Sequence, residues 1–141
     1  MHHSEESRPD LDQLESSPDP VDADGWFRRG LSFAQLGFPD KAAAAFQEAA
    51  WLEPDNVQVQ FNMGTAHLSM GMFEQALVNL TKTISLAPDM PDAWGNRAVA
   101  YTALGDDDRA GVDVAKAIEL GAPPDGLEAI LEYVKTRREP T

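Results

Sequence analysis

The sequence predicts an all-α fold, an α-solenoid of three stacked helix–turn–helix units with a seventh helix at the end. Three observations predict it. Matching residues recur every 34 positions from residue 23 onward. Glycine returns at the same place in each copy, at Gly37, Gly71 and Gly105. The last stretch carries one apolar stripe, Leu127, Ile130, Leu131 and Val134, at i, i+3, i+4 and i+7. A period of this length with fixed small and aromatic columns marks a helical repeat array.

Residues 1–22 come first and look different. They are rich in Ser, Pro, Asp and Glu, with seven acids against the single base Arg8. Such a segment buries too little apolar surface to offset its ordering entropy, so it is expected to be a disordered acidic tail. Leu11 and Leu14 sit three apart within it, and they suggest a motif that docks in cis into the groove of the folded part.

The repeats follow at 23–56, 57–90 and 91–124. Gly30, Gly64 and Ala98 form one column and face a second, Ala42, Ala76 and Ala110. Two small columns let the helices of a pair approach to about 8–10 Å. Phe33, His67 and Tyr101 align, as do Phe46, Leu80 and Val114, and these fill the space between helices. Gly37, Gly71 and Gly105 stop the first helix of each pair, because glycine takes the left-handed conformation cheaply. Pro54 and Pro88 end the second helix of the first two pairs. Pro39 suits the first turn of a helix, where its missing N–H matters least. Helices are therefore expected near 24–36, 39–53, 57–70, 73–87, 91–104 and 107–120. A capping helix at 125–138 closes the array, with Asp125 as its N-cap, Glu128 completing a capping box, and Lys135, Arg137 and Arg138 in its last turn.

These columns resemble the tetratricopeptide-repeat family over residues 23–124, and the final helix is similar to that family's solvating helix. Trp26, Gly30, Phe33, Ala42, Phe46 and Pro54 carry the pattern best. The second repeat departs from it with Gln60 in place of Trp and His67 in place of Tyr. The third keeps Trp94 and Tyr101 but closes on Gly121-Ala122-Pro123, which displaces its proline by one. The resemblance implies an inner face, built from the first helix of each repeat, that holds an extended peptide or a helix of a partner. It places Asp24, Phe27, Arg28, Leu31, Ala34 and Gln35 there, then Gln58, Phe61, Asn62, Thr65, Leu68 and Ser69, then Asp92, Gly95, Asn96, Val99, Thr102 and Ala103.

The carboxylate clamp known in this family does not carry over. Asn62 stands at one clamp position, but Phe27 and Leu31 replace its first-repeat Lys and Asn. Asp92 and Asn96 replace its third-repeat Lys and Arg, and an Asp would repel a carboxylate. What remains is apolar. Phe27, Leu31, Phe61, Leu68 and Val99 form a candidate stripe, flanked by Arg28, Asn62, Thr65 and Asn96. Asn presents one acceptor and two donors, which suit a peptide backbone. The alternative is that part of the stripe packs against neighbouring helices. Arg29 and Arg97 share a column and are expected to pair with nearby acids.

Composition narrows the function classes. The formal net charge is −13 over 141 residues, so a phosphate backbone or an anionic lipid surface would be repelled. No apolar run is long enough to cross a membrane. The start lacks the basic and apolar blocks of a secretory leader, which points to the cytoplasm. There is no cysteine, hence no thiol nucleophile or thiolate metal site. No nucleophile–base spacing or phosphate loop is present, so neither catalysis nor a cofactor or metal is expected. His67 reads as a packed ring, and Asp106-Asp107-Asp108 as the acidic start of a helix. Met63, Met70, Met72 and Met90 cluster around the second repeat and read mostly as core. The expected partner is a protein or peptide with apolar anchors. An adaptor or scaffold fits best, and a small assembly or secretion chaperone or a permanent structural subunit are the competing readings. The sequence does not define the oligomeric state.

Overall fold

The computed structural model describes residues 9–138. Eight helices follow in order: α1 (Leu11–Ser16), α2 (Ala23–Gln35), α3 (Pro39–Leu52), α4 (Val57–Ser69), α5 (Phe73–Leu86), α6 (Pro91–Ala103), α7 (Asp107–Glu119) and α8 (Pro124–Arg137). There is no strand among the described residues. The first helices of the three pairs, α2, α4 and α6, begin 34 residues apart, and the helix limits fall within two residues of those expected.

Local chemistry sets each boundary. Asp22 accepts from Gly25 N at 2.8 Å to start α2, and Asn56 accepts from Val59 N at 3.2 Å to start α4. Pro39 and Pro91 open α3 and α6 at the first helical position. At Gly37 the backbone turns left-handed, with φ +85°, and Phe38 N reaches back to Phe33 O at 2.9 Å. Gly71 and Gly105 repeat that closure, which satisfies the last carbonyls of each first helix.

The core lies within and between the pairs. Phe46, Leu80, Val59, Ala42, Ala76, Ala98 and Ala117 are all but fully buried. The small column works by contact. A Cβ built on Gly30 would collide with the Phe46 ring, and one on Gly64 would lie 2.9 Å from Leu80 Cγ. Ala98 is accommodated because the facing residue there is the smaller Val114. Of the four clustered methionines only Met63 is buried.

Apart from the Thr102 hydroxyl, which has no partner among the described residues, the buried polar side chains are hydrogen-bonded. Gln60 and His67, the departures of the second repeat, flank Asn79. His67 Nδ1 and Asn79 Oδ1 are 2.7 Å apart, Asn79 Nδ2 donates to Gln60 Oε1 at 3.2 Å, and Gln60 Nε2 donates to Pro54 O at 3.1 Å. In the third repeat Arg97 donates twice to Asp113, at 2.8 and 2.9 Å, from between the rings of Trp94 and Tyr101. The Asp113 hydrogen bond raises the Arg97 pKa further above its ordinary value, against the opposing effect of burial.

Two features depart from expectation. The segment before residue 23 contains the helix α1 where disorder was expected; residues 1–8 lie outside the described residues. Asp10 and Gln13 form a reciprocal capping box, Leu14 is buried, and Lys41 pairs with Glu15 at 3.3 Å. Two apolar residues three apart in one capped turn suffice once a neighbouring surface takes Leu14. Second, α8 starts at Pro124 with Pro123 as N-cap, so Asp125 lies inside the first turn and caps nothing. Helix α8 lies chiefly against α6, whereas α4 and α6 each pack on the second helix of the preceding repeat as well as on their own partner. The cause is local. After α3 and α5 the chain leaves at negative φ through Glu53 and Ala87, but α7 is followed by a left-handed Gly121, φ +111°, which redirects it.

Candidate peptide-binding face

Along α2 each residue turns the helix by about 100°. Phe27 and Leu31 therefore share one side, and Arg29 points the opposite way. Ala23, Gly30 and Phe33 are buried, which leaves Phe27 and Leu31 beside the core rather than within it. The Phe27 and Phe46 ring centroids are 5.7 Å apart at 40°. On α4, Phe61 and Leu68 stand likewise, half-buried against Ala76, Leu80 and Ala100. Val99 on α6 is half-buried against Ala98, Ala110 and Leu131. None of the five apolar candidates is fully buried, and each keeps one side on the core.

The polar candidates separate into three roles. Arg28 Nε meets Asp24 at 3.0 Å with both side chains exposed, an ion pair of small energetic weight. Asn62 Nδ2 donates to Gln58 O at 2.8 Å within α4. Thr65 Oγ1 donates to Phe61 O at 3.1 Å and accepts from Asn96 Nδ2 at 3.3 Å. That Thr65–Asn96 contact is a rung between successive first helices and fixes their spacing on this face.

The third repeat is where the face changes. Phe27 and Phe61 have Gly95 as their 34-residue counterpart, so the aromatic column stops there. Leu127 of α8 approaches the vacated space, its Cδ1 3.6 Å from where a Gly95 Cβ would sit. Between α6 and α8 a cleft of about 250 Å³ remains, lined by Pro91, Asp92, Asn96, Val99, Leu127 and Ile130 among others. Ile130 is 51% exposed at its rim. Asn96 and Val99 therefore belong to a cleft shared with α8 as well as to the candidate stripe. Thr102, placed on this face by the repeat register, is buried beneath α8, and Arg138 donates to its carbonyl at 3.1 Å. Sequence reasoning passed over Leu127 and Ile130 as groove residues, because they were assigned to the capping stripe. The signal was the absent aromatic at Gly95.

The cis-docking motif also lands elsewhere. Arg29 donates to the carbonyls of Ser17 and Pro18, at 3.3 and 2.6 Å, and pairs with Asp19 at 3.3 Å. Arg29 faces away from Phe27 and Leu31, so α1 and the following strap cover the other side of α2 and leave the candidate stripe uncovered. Of the acidic triplet, Asp106 caps α7 by accepting from Arg109 N at 3.1 Å, and Asp107 is held by Arg138.

The sequence profile described as tetratricopeptide repeat matches residues 1–57 and 61–126. No curated protein matches the chain. Among solved structures, the second repeat domain of Spaghetti (RPAP3) bound to an HSP90 peptide is 24% identical, with a TM-score of 0.68 over 71% of this chain and 93% of that one. The human RPAP3 second domain in complex with an HSP70 peptide is 23% identical, with a TM-score of 0.73 over 80% and 94%. YrrB, described as having an unusual peptide-binding site, is 22% identical, with a TM-score of 0.71 over 89% and 63%.

Proposed function

The chain belongs to the tetratricopeptide-repeat family, and from that premise we propose that it is a non-catalytic interaction module that holds a peptide or helix of a partner protein against its apolar stripe. The observation that carries the reading is the half-buried row Phe27, Leu31, Phe61 and Leu68, which α1, the strap and α8 leave uncovered. Contiguous apolar surface of this kind marks interaction sites. Solved relatives of the same fold hold peptides, which agrees with this use of the surface. The rung of Thr65 and Asn96, with Asn62 beside it, supplies donors and acceptors at the edge of the row. Burial of three anchors at about 1.5–3 kcal/mol each, less the cost of association, limits the affinity to micromolar or weaker.

The test is selection of binders from a displayed random-peptide library on the full chain. Binders are expected, and Phe61→Glu should lower their affinity at least about tenfold, since a carboxylate would enter an apolar contact. Circular dichroism must stay unchanged. An empty selection, or binders indifferent to Phe61→Glu, would refute the reading.

A further inference from the structure

Resting on that reading, we propose that the cleft between α6 and α8 is the anchor pocket of the binding face, and that its occupant is a cationic partner segment bearing one large aliphatic side chain. The size argues for a single anchor. About 250 Å³ is below the usual range of small-molecule sites, roughly 300–1,000 Å³, and suits a side chain. The floor is apolar, with Gly95, Val99 and Leu127, and Ile130 stands half-exposed at the edge.

The electrostatics argue for a cation. Asp92 is the single charged residue lining the cleft. Two helix N-termini meet here, each equivalent to about half a positive charge, which by themselves would favour an anion. Asp92 and Asp125 occupy the first turns of those helices and outweigh that charge, leaving a balance of about one negative. Pro91 and Pro124 also remove one backbone donor from each first turn, so fewer N–H groups face an anion. On the first helices of the repeats the cation of this face, Arg28, is engaged by Asp24. The whole chain carries −13, a field that draws a basic segment and repels an acidic one. The occupant is therefore opposite in charge to the acidic tail that a carboxylate clamp would take.

The peptides selected on the full chain test this directly. Net positive sequences with one Leu, Ile or Met should dominate, and their affinity should fall as salt is raised. Ile130→Asp should weaken them at least about tenfold, and Asp92→Asn about threefold with a flatter salt dependence. Both positions are exposed, so circular dichroism should not change. Acidic or neutral binders would overturn the inference, as would binders indifferent to Ile130→Asp. Binders sensitive to Phe61→Glu but not to Ile130→Asp would sink the anchor pocket and leave the broader binding face standing. An empty selection would sink both.

Discussion

The first and third repeats put the same residue in the same column and use it differently. Arg29 and Arg97 each lie over a tryptophan, Trp26 at 5.5 Å and Trp94 at 5.2 Å. In the third repeat the facing residue of the second helix is Asp113, and the guanidinium closes a bidentate pair within its own repeat. In the first repeat that facing position is Ala45, and Arg29 turns outward to hold the strap after α1. In the second repeat the column holds Met63, and the facing Asn79 bonds His67 and Gln60 instead. A repeat column thus specifies where a side chain stands. The partner is decided by what the neighbouring column offers.

The largest test of that comparison is Asp113→Ala. Its side chain is 2% exposed and that of Arg97 is 16%, so removing the carboxylate strands a nearly buried cation. The expected loss is about 3–5 kcal/mol in urea unfolding. Arg29→Ala should cost less, about 1–2 kcal/mol, because it strands no buried charge: Asp19 is 82% exposed, and the Ser17 and Pro18 carbonyls it releases lie at the surface. Equal losses would erase the distinction between the repeats.

The facing pairs Gly30–Phe46, Gly64–Leu80 and Ala98–Val114 sharpen it next. Only opposite the smallest partner, Val114, does alanine replace the glycine. Gly30→Ala should destabilise by about 1–3 kcal/mol through the clash with Phe46. In a Phe46→Val background, which imitates the third repeat, the same change should cost at least about 0.5 kcal/mol less. Additive losses in the double-mutant cycle would show that the columns do not compensate.

A smaller effect is expected at the N-terminal end. Leu14→Ala should cost about 1 kcal/mol, below the usual core value, because a terminal six-residue helix can open locally. Hydrogen exchange should quicken at residues 13–17 with α4 and α5 unaffected; a global loss of protection would place α1 in the cooperative core.

The smallest concerns pH at the C-terminal end. The Arg138 hydrogen bond lowers the Asp107 pKa below its ordinary 3.8. A carboxylate with a depressed folded pKa adds stability that is complete above the unfolded value and fades as pH falls through the folded one. Asp107→Asn should therefore flatten the acid limb of the stability curve below about pH 4 and change little at pH 7. An unaltered acid limb would mean the pair does not hold α8.

The array itself was legible in the sequence because each of its signals is local. A glycine needing positive φ and a proline that cannot continue a helix act over a few residues, and 34-residue spacing repeats them. The small column nevertheless faces Phe46, Leu80 and Val114 rather than the alanines expected. Helix limits followed within two residues. The candidate site was legible only in part. Phe27, Leu31, Phe61 and Leu68 could be placed on one side of their helices by periodicity. Whether a stripe is covered depends on chain segments distant in sequence, and those were misread. Leu14 gave α1 no weight until α2 and α3 supplied a surface for it, and Asp125 read as a cap until Pro123 took that place.

Order and spacing of the three helix pairs came from the sequence by itself, since steric and backbone preferences act residue by residue. The path of the two ends was decided only in three dimensions. Gly121 turns the chain so that α8 settles on α6, and the gap at Gly95 admits Leu127. The cleft and its charge exist only where those two helices meet, and burial is a property of pairs of surfaces that no single stretch of chain can carry.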